Sequence, residues 1–278
     1  MTWIIAAVLM QAPTLENRVD AFLRGDAGAR ETLLKLGTQA IRPLQKARDK
    51  SPEKVDNLVL EIKKGAAYPK TTKAPDGLEV KCKLQLSNQK PADVIVYLQE
   101  FTGAALVCDR FDPADLKAPT VDITGDEVSV RQALDQLCRA TGLDYGFFHN
   151  VIVVGKPERL WPAGKTAAAF GPPAVERQHR TPDDDKTFEH LRKMKVNLDF
   201  QNATVKGMSD YLKELSGITF EVDDPEGKPI PIYRVKDLSV IDATALAAQI
   251  CNLDFIIKEG KVVVGTRAEI EKKLADKK

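Results

Sequence analysis

The chain has 278 residues, 43% of them apolar and 29% charged, with a formal net charge of +1. That composition supports packed cores in about two domains. It excludes the basic field of a dedicated nucleic-acid binder, and no apolar run of about 18 residues is present to cross a membrane as a helix.

Residues 3–10 (Trp-Ile-Ile-Ala-Ala-Val-Leu-Met) form a short apolar core followed by Gln11 and Ala12. This is the shape of a secretory signal peptide, expected over residues 1–12, although no Lys or Arg precedes the core. The mature chain is then expected to start near Ala12 or Pro13. No cysteine follows closely, so a lipoprotein anchor is not supported.

Residues 13–67 read as helices. Leu15, Val19 and Phe22 recur at helical spacing and Gly25 stops the run; Leu33, Leu34 and Leu36 end at Gly37. Ile41 and Leu44 form a third helix around Pro43. Ser51 and Pro52 mark a fourth start, and Gly65 stands where a C′ glycine belongs. The phrase from Leu36 to Leu44 resembles the turn between the paired helices of a HEAT-type repeat. That implies a helical cap or adaptor.

Residues 68–77 read as a linker. From Leu78 to Leu86 apolar and polar residues alternate, which predicts a strand with one buried face. Pro91 opens a helix with Val94, Leu98 and Phe101 on one face, ended by Gly103. Leu106 and Val107, then Val121 and Ile123, give two further strands. Ser129 and Gln132 have capping-box spacing for a helix to Ala140. His149 and Asn150 turn a closing hairpin.

This pattern is then written again. Tyr97 and Tyr211 stand 114 residues apart, and the blocks ending in Gly103 and Gly217 follow in register. Further on, Ser129 and Ser239 stand 110 residues apart, and the hairpin positions Asn150 and Gly260 coincide. Two copies at such spacing are a duplicated domain, not a solenoid. The predicted fold class is α+β: two copies of a small sheet with two packed helices, plus an N-terminal all-helical segment. The copies are expected over residues 78–160 and 191–274, with the same strand order in each. Residues 161–190 read as a linker, in which residues 161–186, rich in Ala, Pro and Gly and then acidic at Asp183 to Asp185, form a flexible tether and the aspartates start a short helix through Leu191. The ends of the tether would lie on the order of 25–30 Å apart.

The succession of strand, helix, two strands, Ser-capped helix, Leu-Asp-aromatic and hairpin resembles the secretin and TonB short N-terminal domain. The resemblance rests on Leu98, Glu100 and Gly103, again on Leu212, Glu214 and Gly217, and on residues 129–155 and 239–265. It implies periplasmic modules that bind other envelope proteins or one another. No barrel, plug or channel segment follows in this sequence, so what carries over is the binding role.

No chemistry is written in the chain. Gly164, Lys165 and Thr166 end a phosphate-loop signature whose first glycine is replaced by Arg159. His149, His179 and His190 lack metal-ligand spacing, and His149 is expected to be solvated in its turn. Residues 223–227 (Asp-Asp-Pro-Glu-Gly) lack the alternating ligands of a calcium loop and read as a solvated acidic turn. Tyr97 and Tyr211 read as core-edge packing. The four cysteines read as small buried thiols, with Cys82 and Cys108 the one pairing left open. No catalytic, cofactor or metal residue is therefore expected, and no nucleic-acid partner or integral membrane segment. Two functions remain: an exported non-catalytic protein-interaction or assembly module of the cell envelope, and a small-molecule-sensing or enzyme-accessory domain. A deep apolar pocket with converging polar groups would mark the second. An open strand edge on a shallow surface would mark the first.

Overall fold

The computed structural model describes residues 14–70, 75–110, 114, 116–162 and 169–275. The expected signal peptide and the Gly164-Lys165-Thr166 remnant lie outside the described residues. The chain divides into two compact units, Met1–Ala66 and Ala67–Lys278.

In the first unit the helices are α1 (Leu15–Leu23), α2 (Ala27–Leu36), α3 (Ile41–Lys46) and α4 (Pro52–Gly65). Thr14 and Asp26 cap α1 and α2 with side-chain oxygens that accept the Asn17 and Ala29 amides. Val19, Phe22, Leu33, Ile41, Leu44, Val55 and Leu58 fill the core. Two expected caps differ. Ser51 makes no side-chain capping bond, although Pro52 does stand at the start of the helix. Gly65 is the last helical residue, and Ala66 caps α4 in ordinary right-handed backbone.

The second unit begins with β1 (Lys81–Gln89), α5 (Pro91–Thr102), β2 (Leu106–Cys108), β3 (Val121–Ser129), α6 (Val130–Thr141), β4 (Asp144–Phe148) and β5 (Val151–Gly155). Short α7 (Pro157–Leu160) and α8 (Ala174–Arg177) and longer α9 (Pro182–Lys193) lead to the second copy. That copy has β6 (Lys195–Ala203), α10 (Val205–Ser216), β7 (Phe220–Val222), β8 (Ile230–Ser239), α11 (Val240–Ile250), β9 (Leu253–Lys258) and β10 (Lys261–Thr266), followed by α12 (Arg267–Ala275). The first strand starts three residues later than the alternation predicts. Leu78 is buried in a turn whose carbonyl accepts the Arg131 amide at the start of α6.

The strand order is the same in both copies. β1 pairs antiparallel with β3, and β5 lies between antiparallel β4 and parallel β2. Likewise β6 pairs with β8, and β10 lies between β9 and β7. Local chemistry repeats too. Ser129 and Gln132 form the capping box of α6, and Ser239 accepts the Asp242 amide at the start of α11. The hairpin turns put His149 and Asn150 at φ 53° and 60°, and Glu259 and Gly260 at 54° and 72°. These positive values are what a tight hairpin needs, and Asn and Gly tolerate them best.

The copies are not separated by a flexible tether. β2 of the first pairs antiparallel with β8 of the second, Val107 opposite Tyr233 and Cys108 opposite Ile232, giving one five-stranded sheet in the order β4-β5-β2-β8-β6. The described part of the connecting stretch is folded. Phe170, Ala174, Val175, Phe188 and Leu191 are buried, and Ala174 packs with Ile256, Val263 and Ile270. Sparse apolar residues among Ala, Pro and Gly hide this packing from composition, because each buries on a surface made elsewhere in the chain. The same stretch closes one sheet edge, since Gln178 Oε1 accepts the Ile257 amide of β9 at 2.9 Å. At the β4 edge of the five-stranded sheet, the Tyr68 amide donates to the Phe147 carbonyl at 3.1 Å.

Candidate interaction site

The joint between the copies concentrates the buried polar chemistry of the second unit. Helix α11 is at its centre, and every residue of it but Asp242 is buried. The first copy holds it at both ends. At the N-terminal end, His149 Nδ1 lies 2.8 Å from Asp242 Oδ1, and Ser239 also bonds Asp242. At the C-terminal end, Arg159 of α7 donates to the Gln249 and Ile250 carbonyls at 3.0 and 3.1 Å and to the Asn252 side chain. A helix leaves its last carbonyls without partners and carries partial negative charge there, so a guanidinium answers both needs.

Arg159 is anchored in turn by Asp109, which directly follows β2. The pair is bidentate, at 2.6 and 3.0 Å, and Asp109 is fully buried. Burial pushes the Asp109 carboxyl up and Arg159 pulls it back down, the net direction being upward. Asp242 goes the other way. Burial alone would raise it, but the hydrogen bond and charge of His149, aided by Ser239 and Lys195, hold it below the usual carboxylate value.

His149 is therefore not the solvated turn residue expected from sequence. It is 1% exposed, because the hairpin tip is pressed between α11 and the Tyr68 ring, whose centroid is 5.1 Å away. Its Nε2 is buried with no partner among the described residues. Sequence reasoning missed the roles of Asp109 and Arg159 as well. One signal was available: the repeat sets Glu259 where His149 stands and Glu269 where Arg159 stands, so these positions escaped the duplication.

The joint occurs once. β2 is wholly buried beneath it, whereas in the matching β7 Glu221 is exposed and paired with Lys261 at 2.7 Å. A charged pair on an edge strand discourages another strand from adding there.

Outside the joint, both copies expose apolar side chains at matching helix positions. Phe101 on α5 is 61% exposed and Leu215 on α10 is 46% exposed. Tyr97 stacks on Phe101 with ring centroids 4.2 Å apart, while Tyr211 meets Phe200 edge-on at 5.5 Å. Tyr211 is 41% exposed, so it is a surface residue and not the core-edge packing expected.

The described cavities are grooves open to solvent, lined by both polar and apolar groups. One of about 790 Å³ runs past Asp183, Lys186, Lys258 and Glu259. Another of about 280 Å³ lies at the joint, between residues 103–105 and 234–236. In the first unit, a groove of about 390 Å³ passes Phe22 and Leu58 under a rim that includes Arg30, Lys54 and Glu61. The groove at the joint is mostly apolar in lining, but all three are open to solvent and none encloses a ligand-sized volume as small-molecule sites do. The acidic turn spends its groups on structure, Asp224 accepting the Gly227 amide and Glu226 pairing with Arg110 at 3.0 Å. Cys82, Cys108, Cys138 and Cys251 are free thiols, and burial pushes the Cys251 thiol up to about 11. A thiol so raised is a poor nucleophile near neutral pH. Among the described residues no helix is long and apolar enough to cross a membrane. No family model, curated protein or solved structure matches the chain.

Proposed function

We propose that this protein is an exported, non-catalytic protein-interaction module of the cell envelope, a tandem relative of the secretin and TonB short N-terminal domain. The observation that carries the reading is the matched display of Tyr97 with Phe101 and Tyr211 with Leu215. Exposed apolar side chains on a surface helix are a liability unless something covers them, and aromatic residues are favoured at protein interfaces. The buried titratable groups support the same reading. Asp109, Arg159, His149 and Asp242 are all consumed in holding the copies together, which leaves them unavailable for acid–base work on a substrate.

The test is capture from envelope extract by the tagged full chain, quantified by mass spectrometry against the double variant Phe101→Ser, Leu215→Ser. The reading expects a set of envelope proteins retained by the parent and lost by the variant. An identical set from both proteins, or recovery of the native protein from the cytosolic fraction with Met1 intact, would overturn it.

A further inference from the structure

The β4 edge of the five-stranded sheet is closed by a bridge one residue long. Tyr68 lies parallel to Phe148, its amide donating to the Phe147 carbonyl and its carbonyl accepting the His149 amide. Pro69 and Lys70 beyond it are exposed. The same residue covers the joint. Its ring meets His149 edge-on, and its hydroxyl donates to Glu176 of α8. Tyr68 therefore ties together the edge of the first copy, the histidine that holds α11, and the connecting stretch.

The second copy closes its matching edge differently. Gln178, 110 positions after Tyr68, bonds both the amide and the carbonyl of Ile257 through its side chain. Gln178 is buried, whereas Tyr68 is only partly so and follows closely on Ala66, where the first compact unit ends. The two clamps on α11 are just as unlike. Arg159 is held by a fully buried, bidentate carboxylate. His149 has Asp242 at one ring nitrogen and no partner among the described residues at the other. Segments with few buried contacts and exposed flanks open at a lower free energy than the whole fold does.

We propose that Tyr68 is a strap that opens by itself, ahead of the sheet, and that its opening frees the His149 end of α11 while the Arg159 end stays clamped. The joint then loosens about Arg159, with the β4 edge bare and the pairing of β2 with β8 intact. The inference concerns the joint alone and goes beyond the interaction reading, so that either one can fail without the other.

Residue-by-residue amide exchange of the full chain in low urea tests it. In the parent, the His149 amide is expected to show a protection factor at least about tenfold below those of Ala245 to Ala248 in α11, with little dependence on urea. Tyr68→Ala is expected to speed exchange at the His149 and Asp242 amides by about tenfold, while Ile250 beside Arg159 and Val263 in β10 stay unchanged. Tyr68→Phe, which loses only the Glu176 bond, should fall between parent and Tyr68→Ala at His149. Equal protection and equal urea dependence at His149 and Ala245 to Ala248 in the parent would overturn the strap, because it would then open only with the whole unit. That measurement decides the matter even where Tyr68→Ala does not fold. A uniform rise along all of α11 in Tyr68→Ala, or no rise at His149, would overturn it too.

Discussion

Arg159 makes its polar contacts inside the joint, with Asp109, the last carbonyls of α11 and Asn252. Removing it would leave a fully buried carboxylate without its counter-charge, which costs about 3–5 kcal/mol in comparable sites. We expect Arg159→Met to lower the urea-unfolding free energy by about that amount. The double change with Asp109→Asn should lose less, because the buried charge goes too. Asp242 sets an acid limit. Its folded value lies below the ordinary 3.8, so the folded state favours the carboxylate more than the unfolded chain does. That contribution is complete above 3.8 and fades as pH falls through the lower folded value. Unfolding midpoints of the parent should therefore drop more steeply than those of Asp242→Asn as pH falls below about 4.

The helices and hairpins were legible wherever their signals are short. The Ser129–Gln132 box and the paired hairpin turns lie where the sequence puts them. Such signals join residues three or four positions apart, so neighbours alone decide them. Gly217 ends α10 at φ 71°, in the left-handed region, with open space where a Cβ would go. Its replacement by alanine should cost about 1 kcal/mol by backbone strain alone, and asparagine less, measured by thermal unfolding. Ser239→Ala removes both a helix cap and a bond to Asp242. A loss near the upper end of the usual cap range, about 2 kcal/mol, is expected there.

At the scale of the whole molecule, the second unit is one folded body because its copies share a sheet and a clamped helix. Amide exchange checks this. Arg159→Met lies in the first copy, yet it should speed exchange along α11 of the second while leaving α4 of the first unit unchanged. Faster exchange confined to α7 would mean that the clamp does not stabilise the helix it touches. By itself the sequence determined the duplication, the α+β class, the order of elements within each copy, and the helix caps and hairpin turns of the copies. Each of these rests on periodicity or on contacts a few residues apart. Only the tertiary structure decided that the copies join, that the connecting stretch packs, and that His149 is buried. His149 meets Asp242 from 93 positions away, and Arg159 reaches Gln249 from 90. No window of neighbouring residues contains both partners, so no local pattern could have paired them, and burial follows from which surfaces meet.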